Sequence, residues 1–392
     1  MGTARPAAGA RLRKKANIVL KIAVNTRLLL PGKLEGIGWF TYESFRRIVH
    51  QHPEHRFYFL FDRPFSEEFV FSSNVEPVVL FPPARHPILY YLFFEQAVPR
   101  RLNRLGVDLF VSPDGFLSGR FKGPQLPVFH DLNFMHRPEF LPWMTRTHYR
   151  RFFPAYAKIA RRIATVSEYS KRDIVRSFGY PETKIDVVYN GVNDLFSPIG
   201  EDLQQATRDE FTGGSPYFIY IGALHKRKNI GQMLRAFERF RHHHGQAFKL
   251  VIIGAPMFSD AEPEKVLQSM RYREEVLFLG RQYGETLRRL LASARALLLV
   301  SHFEGFGIPI IEAMQCDVPA IVSDTTSMPE VAGDAALLID PGSVAQIADA
   351  MTRMARDEQL RTALVEKGRV QRERFSWDKT AASLWASMTR CL

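Results

Sequence analysis

Short apolar runs alternate with segments of helical period through the second half of this 392-residue chain, and that alternation restricts the fold more than any other feature. The runs are YFIYIG (217–222), KLVIIG (249–254), VLFLG (276–280), ALLLV (296–300), PAIVS (319–323) and ALLID (336–340). Each is too short for a helix and apolar almost throughout, as strands covered on both faces must be. Segments such as IGQMLRAFERFRHH and GETLRRLLASAR lie between them and repeat apolar residues at helical spacing. Parallel strands need a long crossover, usually a helix, so the pattern predicts a parallel sheet covered by helices. The first half reads the same way in looser form, with strands predicted at 19–24, 57–61, 109–112, 127–130, 164–166 and 186–189. The turn-rich stretch from Asn190 to Ser215 is the natural linker. Two such sheets face each other across a cleft, and their ligands are expected beyond the carboxyl ends of the strands.

Composition narrows the function. Two cysteines, Cys316 and Cys391, cannot form a disulfide framework, and no Cys/His spacing suggests zinc. No apolar run is long enough to span a bilayer. Residues 1–16 read as a loose basic tail. The positive charge is uneven: residues 1–200 carry 29 Lys and Arg against 17 Asp and Glu, whereas residues 201–392 carry 24 of each. An acidic partner is therefore expected for the first half. The segment 144–168 mixes cations with Tyr149, Phe152, Phe153, Tyr156 and Ile159. It fits an ordinary core-facing helix with solvated cations, and it also fits peripheral attachment to an anionic leaflet. No nucleic-acid motif accompanies the charge.

The chemistry concentrates in SHFEGFGIPIIEAM (301–314). Glu304 and Glu312 flank Gly305, Gly307 and Pro309 in a loop that follows a predicted strand and opens a helix. A helix start offers unpaired N–H groups and the positive end of its dipole, which suits a phosphate. Glycines let a ligand approach the backbone. Glu312, about one turn into the helix, can accept from a diol such as ribose, and Glu304 at the loop can hold a second polyhydroxylated group. A second strand-end loop, GALHKRKN (222–229), sets Arg227 and Lys228 at a helix start, where cations oppose the dipole unless they face an anion. Each segment alone also fits a solvated surface loop, and the two together favour a nucleoside-diphosphate sugar. Ser167 in TVSEYS reads as a helix cap, and HHH (242–244) as a solvated helix end.

EGFGIPIIEAM, IGALHKRKN, TVSEYSKRDI, YNGV and MPEVAGDAALLIDP, in that set, resemble the family-4 glycosyltransferases over nearly the whole chain. The resemblance implies an α/β GT-B fold of two Rossmann-like domains, retention of anomeric configuration and a nucleotide-sugar donor. It implies an acceptor-binding domain over 17–195, a donor-binding domain over 196–374 and a C-terminal helix, 375–392, packing back on the first domain. Glu312 would bind the ribose, Glu304 would lie near the donor sugar, and the amides of Phe306, Gly307 and Ile308 would meet sugar and pyrophosphate. Arg227 and Lys228 would neutralise the diphosphate leaving group. Gly36 and Gly38 in LEGIGWF would sit on a first-domain loop over the donor, and His130 near the scissile centre. No cofactor and no metal are implied, and no D-x-D is present. Asp317 replaces the family's usual glycine, so a different local turn is expected there.

The resemblance is to the bacterial enzymes of surface polysaccharide and lipopolysaccharide synthesis. The expected function is therefore hexose transfer from a nucleotide sugar to a saccharide or lipid-linked saccharide in cell-surface polysaccharide synthesis. GDP-mannose is favoured over a UDP-sugar because the RKN form of the loop resembles mannosyltransferases. The expected location is the cytoplasm, or the inner face of the membrane. A non-catalytic nucleotide-sugar-binding homologue and another GT-B enzyme, such as an epimerase or phosphorylase, are the alternatives.

Overall fold

A computed structural model of the chain describes residues 19–255 and 261–392. The predicted tail at 1–16 lies outside the described residues. The first sheet contains β1 (Lys21–Asn25), β2 (Arg56–Phe61), β3 (Val75–Val79), β4 (Leu109–Ser112), β5 (Gln125–Phe129), β6 (Ile163–Thr165) and β7 (Ile185–Val187). Its order is β3-β2-β1-β4-β5-β6-β7, with every pair parallel. The second contains β8 (Tyr217–Ile221), β9 (Lys249–Ile253), β10 (Val276–Phe278), β11 (Ala296–Leu299), β12 (Ala320–Ser323) and β13 (Ala336–Ile339). Its order is β10-β9-β8-β11-β12-β13, again all parallel. Both sheets are doubly wound. Their strand order reverses between β1 and β4 in one and between β8 and β11 in the other, and crevices at such reversals are where open α/β sheets bind ligands.

Every predicted strand is present within a few residues. The one missed, β3, has the sequence VEPVV. Pro77 at its centre argues against a strand, but β3 pairs only with β2, and an edge strand tolerates a missing N–H. The apolar runs are covered on both faces: Ile22, Val24, Phe57, Leu109, Phe218 and Leu297 are wholly buried.

The predicted linker does lie between the last strand of the first sheet and the first of the second, but it is not all turn. Within 190–215 the chain forms the helix Glu201–Thr212, which ends at Gly213 in the left-handed conformation. Only Thr207 and Thr212 of this helix are buried, so it carries no apolar stripe to read. The histidine run also differs from expectation. His242 and His243 are solvated, but His244 is buried and stacks on Phe240 at 4.7 Å. Asp317 adopts the left-handed conformation that its position requires, and its carboxylate pairs with Arg369 at 2.6 Å and Arg372 at 3.2 Å.

The last helix, Trp377–Thr389, lies against the first-sheet helix Gly36–Gln51. Arg47 Nε donates to Asp378 at 2.7 Å, Ser387 Oγ donates to Asp186 at 2.6 Å, and the Trp385 ring stacks on His52 at 3.7 Å. Gly191 makes this docking feasible, since a Cβ there would stand 2.2 Å from the Trp377 nitrogen. Gly191→Ala should lower the stability measured by urea unfolding by about 3 kcal/mol through this overpacking. An unchanged midpoint and slope would show that the helix docks elsewhere.

Candidate active site

Segments that follow strands of both sheets come together where the two sheets meet. On the second sheet, the loop after β8 makes a short 3-10 turn, Lys226–Lys228, then passes through Asn229 in the left-handed conformation into the helix Ile230–His243. Asn229 is buried and its Nδ2 donates to the carbonyls of Val300 at 3.0 Å and Pro341 at 2.7 Å. That tie fixes the basic turn against the loop after β11. On that loop, Glu304 accepts from Arg227 at 2.7 Å and from Lys228 at 2.5 Å. Arg227 also donates to the Phe303 carbonyl at 2.5 Å.

All three charged groups are largely out of water, with Glu304 6 % exposed. Burial alone would raise the Glu304 carboxyl, but the charges of Arg227 and Lys228 overcome it and hold the group at about 2. Burial pulls the Lys228 ammonium down against the attraction of Glu304. The cluster pairs two cations with one carboxylate, and the Asp131 carboxylate acts on both cations from the first domain.

Gly307 has a φ of 99°, and a Cβ there would press on Ile310 and Leu299, so the turn into the helix Ile308–Gln315 needs glycine for its backbone and its packing. Pro309 stands in the first helical turn. Among the described residues no hydrogen bond engages the amides of Phe306 or Gly307. Glu312 is half-buried in this helix, and its carboxylate has no hydrogen-bond or ion-pair partner among the described residues. Burial pushes it up to about 7. The two glutamates of one motif thus titrate in opposite directions from the ordinary value.

On the first sheet, His130 follows β5. Its Nε2 donates to the Pro113 carbonyl at 2.8 Å, and its ring meets the edge of Phe40 at 5.1 Å. Burial lowers its pKa, so the ring is neutral, and the Pro113 bond leaves Nδ1 as the free acceptor. The Pro113 loop is itself anchored by Asp114, which pairs with buried Arg27 and accepts from Asn25 at 2.7 Å. Gly36 and Gly38 are not on a loop. They form the first turn of the helix Gly36–Gln51, where a Cβ on Gly38 would stand 3.0 Å from the Leu28 carbonyl oxygen.

Gly305 has a role that the sequence reading did not assign. Its Cβ position lies 2.1 Å from the His130 carbonyl oxygen. The missing side chain admits the backbone of the opposite domain, rather than a ligand. Ser167 Oγ, besides capping its own helix by accepting from Ser170 N, lies 2.8 Å from the Gly305 carbonyl, to which it donates. Asn229, Ser327 and Glu330 were also not singled out. Asn229 sits inside the basic motif and Glu330 inside MPEV, so the signal was a turn residue and a carboxylate in segments already marked.

Two doubly wound parallel sheets, joined at their strand ends around a cationic turn, a glycine loop and a neutral histidine, define a glycosyltransferase of GT-B type. Residues 34–194 match the family described as "Glycosyltransferase Family 4", and residues 204–371 match "Glycosyl transferases group 1"; the chain belongs to these glycosyltransferases. It is 28% identical to "O-antigen chain mannosyltransferase B" of Escherichia coli, over 69% of this chain and 71% of that protein. It is 24% identical to "O-antigen chain mannosyltransferase RfbU" of Salmonella typhimurium, over 68% of this chain and 73% of that one. Among solved structures, sucrose-phosphate synthase from Thermosynechococcus elongatus superposes with a TM-score of 0.74 at 18% identity, covering 94% of this chain and 98% of that one. Anabaena HepE in complex with UDP and glucose gives 0.74 at 16%, covering 94% and 99%. These two share the fold.

Two outcomes follow from the charges. Glu304→Gln leaves two adjacent, largely shielded cations without their carboxylate, so thermal or urea unfolding should show a loss of about 3 kcal/mol. Unchanged stability would mean that Glu304 does not balance the two cations. Glu312 behaves oppositely. Its folded pKa of about 7 lies above the unfolded value, so it costs stability as pH rises through that interval. Glu312→Gln should therefore gain roughly 2 kcal/mol at pH 8 and nothing at pH 4. A gain independent of pH would contradict the assignment.

Proposed function

We propose that this glycosyltransferase moves a hexose from a nucleoside-diphosphate sugar to a saccharide or lipid-linked saccharide acceptor in cell-surface polysaccharide synthesis, with retention at the anomeric carbon. GDP-mannose is the favoured donor and a UDP-sugar the alternative. The observation that carries the reading is the largely buried Arg227–Glu304–Lys228 cluster beside the Phe306 and Gly307 amides, which no hydrogen bond engages among the described residues, on a loop packed at Gly305 against the His130 backbone of the other domain. Mannosyltransferase relatives favour mannose. The UDP-sugar alternative draws on the UDP-glucose bound by HepE. A Campylobacter jejuni relative, 26% identical over 53% of this chain and 54% of its own length, is named for a diphospho-undecaprenol-linked acceptor, which supports the lipid-linked option.

In this reading the diphosphate takes its place by Arg227 and Lys228, with its oxygens accepting from the Phe306, Gly307 and Ile308 amides. The ribose hydroxyls donate to Glu312. The bond from the anomeric carbon to the phosphate oxygen breaks while the acceptor oxygen bonds to the same face of that carbon. The acceptor proton passes to the departing phosphate oxygen. Charge grows on the phosphate in the transition state, and prepositioned cations stabilise it without reorganising. Glu304 holds those cations in place and reaches the sugar. His130, fixed by Pro113, offers Nδ1 to a sugar hydroxyl. Protein cations supply the charge compensation, so the reading needs no metal or cofactor.

Peripheral attachment belongs to the same reading. Among the described residues no helix is long and apolar enough to cross a membrane. In the helix Trp143–Ile159, Phe153 and Tyr156 face the core, while Arg150, Arg151 and Lys158 are exposed. Trp143 is 67% exposed at one end of it. The neighbouring helix Pro87–Leu92, joined to it through Tyr90 against His148, exposes Ile88, Tyr91 and Leu92. Each cation near an anionic surface contributes about 1 kcal/mol.

Thermal unfolding with GDP, UDP, ADP or no ligand tests the donor. The matching nucleotide at about 100 times its Kd should add nearly 3 kcal/mol, and no shift with any of them would reject the reading. Separately, the protein should sediment with anionic vesicles at low salt and leave them at high salt. Equal sedimentation with neutral vesicles would remove the electrostatic part of the account.

A further inference from the structure

The helix Met328–Ala332 of the second domain connects both halves of the site. Ser327, just before it, donates to the carbonyls of Glu304 at 2.9 Å and Phe306 at 3.2 Å, so this segment holds the glycine loop. Three residues later, Glu330 reaches into the first domain. One carboxylate oxygen accepts from the Glu168 amide at 2.7 Å and from the Tyr189 hydroxyl at 2.9 Å; the other accepts from the Tyr169 amide at 2.9 Å. Glu168 and Tyr169 open the helix Glu168–Phe178, whose unpaired amides and dipole favour a negative charge. Ser167, the cap of that helix, donates to Gly305 O, and Ser170 Oγ lies 3.3 Å from the His130 carbonyl.

These contacts close a ring. It runs from the Glu304 loop through Ser327 and Glu330 to the helix start at Ser167, and from there to Gly305 and His130. The ring crosses the domain boundary twice within a few residues of the reacting groups.

We propose that Glu330 is a positioning residue: by capping the first-domain helix it sets the closed arrangement in which His130 faces the Glu304 loop. It acts through Ser167 and the helix start, and it does not touch the donor. The inference rests on the sugar-transfer reading above. Neither Arg227, Lys228 nor Glu312 takes part in the ring, so losing Glu330 should separate transfer from nucleotide binding.

The test uses the full chain with Glu330→Ala and Glu330→Gln. Glutamine keeps the length but turns an amide donor toward backbone N–H groups. Sugar transfer, Kd for the nucleoside diphosphate found to bind the wild type, and interdomain distance are measured together. Distance comes from a dye pair at Asn103→Cys and Glu366→Cys, both exposed sites, since the native Cys316 and Cys391 are buried. We expect kcat to fall at least tenfold, Kd to stay within twofold, and the dye distance to lengthen or broaden. Tyr189→Phe, which removes one of the three bonds, should give a smaller fall in the same direction and serves if Glu330→Ala does not fold. Wild-type kcat in both Glu330 variants would overturn the inference. So would a loss of nucleotide binding equal to the loss of turnover, because Glu330 would then act on the donor site. A wild type that transfers no sugar would overturn the functional reading instead, and the dye distance would still decide whether Glu330 holds the domains.

Discussion

The site depends on one close approach, the His130 carbonyl against the Cα of Gly305. Only glycine fits there without a backbone shift, because a Cβ would stand 2.1 Å from that oxygen, in the residue that directly follows β5. Through that contact the ends of two separate sheets become a single surface. The glycine loop and His130 are each built by a complete doubly wound sheet, and neither sheet alone carries both. Mutual position is therefore the property that the interdomain contacts must supply. Correct placement of reacting groups is worth many orders of magnitude in rate, and small displacements are costly.

Electrostatics divides the labour between the two glutamates. Glu304 is ionised because two cations outweigh its burial, and in return it lets those cations stay charged away from water. Glu312 has no such partner among the described residues, and burial pushes its carboxyl up to about 7. The fold therefore bears a cost in stability for a carboxylate that no described residue pairs. The same eight-residue spacing thus presents a locked carboxylate on the loop and an open one on the helix.

Much of this was legible in the sequence because the relevant signals are local. Strands buried on both faces must be apolar, so β8 to β13 stood out, and the motifs followed at their carboxyl ends. The residues of the basic turn and the glycine loop could be named without a structure, because turn chemistry and charge at a helix start are sequence properties. What sequence could not supply was partnership across domains. Gly305 looked like room for a ligand until its neighbour was seen to be a carbonyl from the other sheet. Ser167 was readable as a cap but not as a donor to Gly305, and Glu330 drew no attention since nothing local required a carboxylate there. Helix Glu201–Thr212 was hidden for a different reason: it buries almost nothing apolar, so the periodic signal was absent.

The central claim is that transfer needs the two sheet ends in contact while nucleotide binding needs only the second. The direct measurement is a comparison of the two activities in Gly305→Ala, whose new methyl forces the His130 loop away. The account predicts that nucleoside-diphosphate Kd stays within about fivefold of the wild type while sugar transfer falls about 100-fold, the scale expected of an ångström-sized misplacement. Transfer at the wild-type rate would contradict it, because the backbone contact at Gly305 would then have no part in assembling the site.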